Sequence, residues 1–287
     1  SGTFEVAFDE EERLSLQRNF HALREVGVVV ENVSLKELSE LEPQVSSKIN
    51  GANFYPRDWQ VENRQLLAAL RRFADLNAIE IIENKPVTGI GVENGKVTGA
   101  ACNEINFFAE KTIIAAGAWT SLIKFGNQPP PFRIKPIRGQ MIWFDCRERL
   151  IEKVIYGPRC YLVPRADGRI LAGSTTEDVG FENFVTESAI EYLRNSASEI
   201  LPALSEYEIA GSWSGLRPRS DDGLPILGNV AGYENMFVAT GHYRNGILLA
   251  PMTAKIVAQK AVDGIDSEYF SIFSRDRFAI EIRSSGA

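Results

Sequence analysis

Gly215 to Pro251 reads GLRPRSDDGLPILGNVAGYENMFVATGHYRNGILLAP, and its interpretation decides the rest of the chain. Met236 to Thr240 has the β-branched and apolar character of a short buried strand. A glycine-containing turn, Gly241-His-Tyr-Arg-Asn245, follows it. From Gly246, apolar residues recur at helical spacing through Ile247, Leu248, Met252, Ile256, Val257 and Ala261, so a helix is predicted to start there. The N-terminus of a helix presents unpaired N–H groups and partial positive charge. Strand, turn and helix in this order therefore make a site for an anion or a polarised carbonyl. Two arginines in short motifs, Gly215-Leu-Arg217-Pro and Gly241-His-Tyr-Arg244-Asn-Gly, flank the strand.

The 287 residues suffice for one large or two ordinary domains. A hydrophobic share of 44% and a charged share of 24% belong to a globular protein. The net charge of -7 argues against nonspecific binding to nucleic acid or to an anionic membrane. No apolar run reaches the length of a membrane span and no signal-peptide pattern opens the chain, so a cytoplasmic location is expected. Cys102, Cys146 and Cys160 are widely spaced and only His21 and His242 supply imidazoles. Buried thiols are expected, with no metal site.

Outward from that stretch, the pattern predicts a strand at 2–8, a helix at 9–26 ended by Gly27, a strand at 28–32 and a helix at 34–41 stopped by Pro43. A strand at 51–59, a helix at 60–76 and strands at 79–83, 86–92 and 96–102 follow, the last two joined by a tight turn at Asn94-Gly95. Residues 111–119 read as a buried strand ending in small side chains, which permit either tight packing or close approach of a ligand. Three consecutive prolines within 126–131 mark a linker. Strands at 134–144, 154–156, 160–164 and 169–174 form a mainly antiparallel sheet. A helix at 188–201, a strand at 206–216 and a less regular tail from 263, frayed at Ser284-Ser-Gly-Ala287, complete the prediction.

Five motifs stand in order: Ala115-Ala-Gly-Ala-Trp119, Pro136-Ile-Arg-Gly-Gln140, Cys160-Tyr-Leu-Val-Pro-Arg165, Gly215-Leu-Arg-Pro218 and Gly241-His-Tyr-Arg-Asn-Gly-Ile-Leu-Leu-Ala-Pro251. In this they resemble the FAD-dependent D-amino-acid oxidase superfamily, above all its glycine oxidase branch, which serves thiamine biosynthesis. The resemblance covers about Phe4 to Val262. The family also opens with a strand, a GxGxxG phosphate loop and a helix. None of these occurs in the 287 residues, so they are expected to be a fragment.

The resemblance implies an α/β fold in two interleaved domains. A substrate domain, α+β with a mixed or antiparallel sheet and flanking helices, would take 1–59 and 125–215. A partial FAD-binding, Rossmann-like domain would take 60–124 and 216–264, with 265–287 as a tail and the substrate bound where the domains meet. Arg217 matches the arginine that holds the substrate carboxylate, a task suited to a planar donor fork. Tyr161 matches a tyrosine on the same carboxylate, and Arg244 an arginine near the flavin and the site entrance. A surface salt bridge, an ordinary core tyrosine and a turn-holding arginine are the alternatives for these three. Val87 matches a residue at the adenine; Ala116, Gly117 and Trp119 line the dinucleotide; Gly246, Ile247 and Leu248 face the flavin C2 carbonyl and N1. His242 is read as structural.

The implied activity is oxidation of glycine or a similar small amino acid by dioxygen. Hydride passes to flavin N5 of a noncovalent FAD, giving an imine, then keto acid, ammonia and hydrogen peroxide. Sarcosine or another N-methyl amino acid is the alternative substrate, and a noncatalytic fragment unable to hold FAD is the alternative of a different class. The expected partners are the amino acid and dioxygen, without nucleic acid or membrane, and a homo-oligomer is compatible with this reading.

Overall fold

A computed structural model of the protein describes residues 2–103, 105–126 and 128–279. In chain order, β1 (Thr3–Ala7) leads into α1 (Glu10–Glu25), whose N-cap Asp9 accepts the Glu12 N–H and whose first turn carries Glu10, Glu11 and Glu12. After β2 (Glu31–Val33) comes α2 (Leu35–Leu41), opened by a reciprocal cap between Ser34 and Glu37. Next are β3 (Gly51–Tyr55), α3 (Asn63–Leu76), β4 (Gly89–Glu93), β5 (Lys96–Cys102), β6 (Ile105–Phe108) and β7 (Thr112–Ile114). A 3-10 turn, Gly117–Leu122, precedes β8 (Lys124–Phe125), β9 (Lys135–Asp145), β10 (Val154–Tyr156), β11 (Tyr161–Pro164) and β12 (Arg169–Gly173). The remainder is α4 (Glu187–Ile200), β13 (Ile209–Arg219), β14 (Ile226–Asn229), β15 (Met236–Thr240), α5 (Gly246–Asp263) and α6 (Glu268–Phe273), with 3-10 turns at Pro202–Glu206 and Arg275–Ala279.

The chain forms two compact units. The first takes residues up to Glu62, Arg138–Glu177 and Glu182–Gly215; the second takes Asn63–Ile137, Asp178–Phe181 and the chain from Leu216. The first is built on a sheet in the order β13-β9-β12-β11-β10-β1-β3-β2. β1 and β10 pair in parallel, whereas β1–β3, β2–β3, β10–β11, β11–β12 and β12–β9 pair antiparallel. Phe4, Val6, Ala52, Ile142, Phe144, Ile155 and Leu162 point to one side of this sheet, against Leu38 of α2 and Leu193, Ala197 and Ile200 of α4. Alternate residues turn to the opposite side. Asn53, next to Ala52, accordingly donates to the Leu16 carbonyl of α1 at 3.0 Å. Along that opposite side the register aligns Glu5, Tyr156, Tyr161, Gly173 and Met141 in one row across the strands. Glu42 is a buried carboxylate that accepts N–H bonds from Glu152 at 3.0 Å and Lys153 at 2.8 Å. Burial raises its pKa, and those backbone donors oppose the rise.

The second unit has a sheet in the order β14-β15-β7, with β15 and β7 parallel, and another in the order β6-β5-β4-β8. Asn94 and Gly95 both take positive φ, +51° and +78°, as the predicted β4–β5 hairpin requires. Ile90, Val97, Ile114, Phe125, Ile226, Met236 and Val238 belong to one core of this unit. Leu227 and Phe237 pack with Ile256, Val257 and Ala261 of α5 in another. The apolar side of α3 behaves otherwise: Leu67, Leu70, Phe73 and Leu76 are all exposed.

Four local expectations change. The strand predicted at 28–32 begins only at Glu31, because the helix exit is completed first by Gly27 at φ +82° and a bond from the Val28 N–H to the Leu23 carbonyl. Residues 79–83 form no strand; Ala78 and Asn84, with φ of +53° and +58°, turn the chain on either side of them. The strand at 111–119 shrinks to β7 and is not buried throughout, since Ile113 is exposed and the backbone coils into a 3-10 turn at Gly117. The tail is more regular than expected, because α6 brings Phe270 against the open face of Gly228, where a Cβ would lie 3.0 Å from its ring. Ser284-Ser-Gly-Ala287 lies outside the described residues. The proline run falls within the second unit, where Arg275 Nε donates to the Pro131 carbonyl.

Candidate active site

The turn between β15 and α5 is fixed by backbone chemistry. Gly241 has φ +75° and a Cβ there would lie 3.3 Å from the Leu224 carbonyl oxygen, so both conformation and space favour glycine. The Asn245 N–H donates to the His242 carbonyl at 2.8 Å, and α5 begins at Gly246, the residue predicted from the apolar spacing. The Asn245 side chain does not cap the helix. The backbone of Gly246, Ile247 and Leu248 thus forms a helix N-terminus whose Ile247 and Leu248 side chains are exposed.

Within the same unit, the end of β13 lies beside this turn. The Tyr243 N–H donates to the Pro218 carbonyl at 2.9 Å, and Arg219 and His242 form an antiparallel bridge. The segment carrying Arg217 is thereby held next to the one carrying Arg244. Tyr243, itself at φ +48°, has the guanidinium of Arg219 5.7 Å and that of Arg244 5.6 Å from its ring centre. His242 places Nε2 3.0 Å from Thr253 Oγ1, tying the turn to the second turn of α5. Burial lowers its pKa below the ordinary histidine value by disfavouring the charged ring.

A second strip follows β7. Thr120 Oγ1 donates to the Gly117 carbonyl at 2.7 Å and lies 2.9 Å from Thr240 Oγ1 at the end of β15. The two hydroxyls join the end of β15 to the 3-10 turn that follows its parallel neighbour β7, on the side where open α/β sheets take their ligands. Gly117 has φ +53° and no atom within 4 Å of the position a Cβ would occupy, so the backbone is open to close approach. Ala116 precedes it, and Trp119 stands half exposed with its ring 6.4 Å from that of Phe181. Val87 lies just ahead of β4, also partly exposed. The open glycine, the small residues and the uncapped helix N-terminus are of the right kind to face a dinucleotide and the electron-rich edge of a flavin.

Tyr161 belongs to the other unit. Its hydroxyl donates to Met141 Sδ at 3.3 Å and its ring stacks on Tyr156 with centroids 5.5 Å apart. Met141 and Tyr156 escape a reading of the sequence, because their proximity depends on strand register; the alternation of apolar and other residues shows only that they share a face. The motif around Arg138 also has a tertiary partner that the sequence hides. Arg138, 5% exposed, donates from Nε and Nη2 to Glu177 at 3.2 and 2.6 Å, while Gln140 Nε2 donates to the other Glu177 oxygen at 2.8 Å. Gln140 Oε1 in turn accepts the Thr186 N–H at 2.7 Å. Both ends of the segment 174–186 are therefore fastened to β9. Burial raises the carboxyl pKa of Glu177, but bonds from Thr175, Arg138 and Gln140 outweigh it and the net shift is downward.

All three cysteines are free and buried, and burial pushes the thiols of Cys146 and Cys160 up to about 11 and about 12. Among the described residues no group of three or more His, Cys, Asp or Glu side chains is placed to hold a metal ion. No described helix is long and apolar enough to cross a membrane.

Residues 1–260 match the family of FAD dependent oxidoreductases designated DAO. The chain belongs to that family. It is 39% identical over 197 residues to a glycine oxidase of Pseudomonas aeruginosa, covering 68% of this chain and 52% of that protein. With a bifunctional protein ThiO/ThiG of Synechocystis it shares 34% identity over 242 residues, 83% of this chain and 36% of the relative. The crystal structure of glycine oxidase from Geobacillus kaustophilus superposes with a TM-score of 0.86 at 30% identity, covering 93% of this chain and 72% of that one. The chain thus spans about a third to a half of the length of those two sequence relatives.

Proposed function

We propose that the protein is an FAD-dependent oxidase of glycine or a similar small amino acid, and that the 287 residues carry its substrate-recognition elements together with part of its cofactor site. The observation that carries this reading is the backbone bond from Tyr243 to Pro218, which sets the Arg217 segment beside the turn that opens α5. Arg217 binds the substrate carboxylate through its donor fork, and Tyr161 is taken as a substrate residue from its match to the family tyrosine. Arg244 guards the approach to the cofactor. Val87 meets the adenine end of FAD, Ala116, Gly117 and Trp119 line the dinucleotide, and the N–H groups of Gly246, Ile247 and Leu248 face the flavin's C2 carbonyl and N1. FAD, when bound, supplies the acceptor for the hydride leaving the α-carbon. His242 is read as structural, with its Nε2 3.0 Å from Thr253 Oγ1. Keto acid, ammonia and hydrogen peroxide are the products.

Similarity to proteins named glycine oxidase supports the substrate class. The test is peroxide formation by the full-length enzyme with glycine, sarcosine and larger amino acids, repeated with Arg217→Ala. Loss of charge-assisted bonds to a carboxylate is expected to weaken substrate binding by about 1.5–3 kcal/mol, seen chiefly in KM. Unchanged steady-state constants in that variant would remove Arg217 from the site. Preference for sarcosine would reassign the substrate within the same mechanism.

A further inference from the structure

The row Glu5, Tyr156, Tyr161, Gly173 and Met141 across the first unit's sheet contains an oxidisable group in contact with a proposed substrate residue. Tyr161 and Met141 stand on either side of Gly173, paired to it across β11, β12 and β9. Because Gly173 has no side chain, the Met141 thioether fills the space where its Cβ would stand and comes within 3.3 Å of the Tyr161 hydroxyl. Any other residue at 173 would push the sulfur aside. Met141 is half-buried, unlike Met236, which is fully buried in the second unit, and Met252, which is 50% exposed on α5. Sulfur here serves as the hydrogen-bond acceptor for Tyr161, a role that its oxidation changes directly.

We propose that Met141 is a peroxide-modification site through which oxidation of the thioether displaces Tyr161. This rests on the oxidase reading for the source of the oxidant, the hydrogen peroxide made in turnover, and for the substrate role of Tyr161. A lone pair of Sδ attacks one peroxide oxygen, and the O–O bond breaks. The departing hydroxide takes up the remaining proton and leaves as water; sulfur is oxidised by two electrons to the sulfoxide and peroxide is reduced by two. The sulfoxide oxygen accepts a stronger hydrogen bond than a thioether and occupies volume the Gly173 gap was already using. Tyr161 must therefore follow the new acceptor or lose its partner. Either outcome moves its hydroxyl from the position proposed to meet the substrate carboxylate, so turnover would restrain itself until the sulfoxide is reduced.

The experiment adds graded hydrogen peroxide to the purified chain labelled with 13C in its tyrosine rings. Peptide mass analysis follows the gain of one oxygen at Met141, Met236 and Met252. The Tyr161 resonance, assigned with Tyr161→Phe, is recorded in parallel. Met141 is expected to oxidise after Met252 and before Met236, and the Tyr161 resonance to move in step with Met141. Met141→Leu should abolish that movement while Met252 still oxidises; Met252→Leu should leave it intact. The proposal is overturned if Met141 stays unmodified after Met236 has reacted, or if Tyr161 responds equally in Met141→Leu. If Met141→Leu does not fold, the wild-type and Met252→Leu time courses still decide, since a Tyr161 shift out of step with Met141 oxidation overturns it. Failure of the full-length enzyme to make peroxide from glycine would count against the oxidase reading alone, because here the peroxide is added.

Discussion

α3 and α4 are both 14 residues long and both amphipathic in sequence, yet they end in opposite surroundings. In α4, Ala189, Leu193, Ala197 and Ile200 are buried, three of them in the core of the eight-stranded sheet. In α3 the only buried residue is Ala74, while Leu67, Leu70, Phe73 and Leu76 are 55–67% exposed. Periodicity specifies which side of a helix is apolar. Whether that side leaves water depends on what the chain places opposite it, and no described element packs over this side of α3. The start of α4 is held as well: Thr186 caps it by accepting the Ala189 N–H, and its own N–H is held by Gln140.

The largest test of this contrast is a pair of truncations. Leu193→Ala removes a fully buried side chain and is expected to cost about 2–5 kcal/mol, through lost transfer energy and a residual cavity. Leu70→Ala removes an exposed one and should change stability by no more than about 0.5 kcal/mol. Denaturant midpoints of the two variants measure both; equal losses would mean that α3 is covered in solution. Thr186→Ala is next, with a loss of about 1 kcal/mol for the cap. A variant as stable as wild type would show that the Gln140 contact alone holds the start of α4.

A further small effect lies in the second unit and depends on pH. Arg277, donating to Asp222, holds that carboxyl at about 2, below its ordinary 3.8; burial opposes the shift, and bonds from the Leu224 N–H and the Ser220 hydroxyl assist it. A depressed folded-state pKa contributes stability that is fully present above the unfolded value and is lost as pH falls through the folded one. The loss is therefore expected between about pH 4 and pH 2, and it should stay under about 1 kcal/mol because the carboxylate is a third exposed and screened by solvent. Asp222→Asn should remove this part of the acid dependence. An unchanged acid limb would place the sensitivity in other carboxylates.

Elements whose ends carry their own chemistry were legible without any tertiary information. α5 starts at Gly246 as its apolar spacing indicates, α2 is bounded by its reciprocal cap, and the β4–β5 hairpin turns at Asn94-Gly95. The five ordered motifs carried the family, and the match over residues 1–260 agrees. Elements whose state depends on distant partners were not legible. Ile79 to Glu83 has strand composition but pairs with no described strand, and 111–119 yields only the short β7. Of the site, the sequence supplied candidate residues by resemblance. It could not supply Met141 behind Tyr161 or Glu177 behind Arg138, separations of 20 and 39 residues along the chain.

The sequence by itself determined the periodic and capped elements and the oxidoreductase family, and it supplied candidate site residues. These are local properties, set by side-chain spacing, φ preferences and short motifs. The tertiary structure alone decided that Gly173 opens a gap for a thioether, that Arg217 and Arg244 come from neighbouring segments, and that one amphipathic helix is buried while its counterpart faces solvent. Such outcomes rest on strand register and on contacts between residues far apart in the chain, where a shift of one position would turn every side chain to the other face.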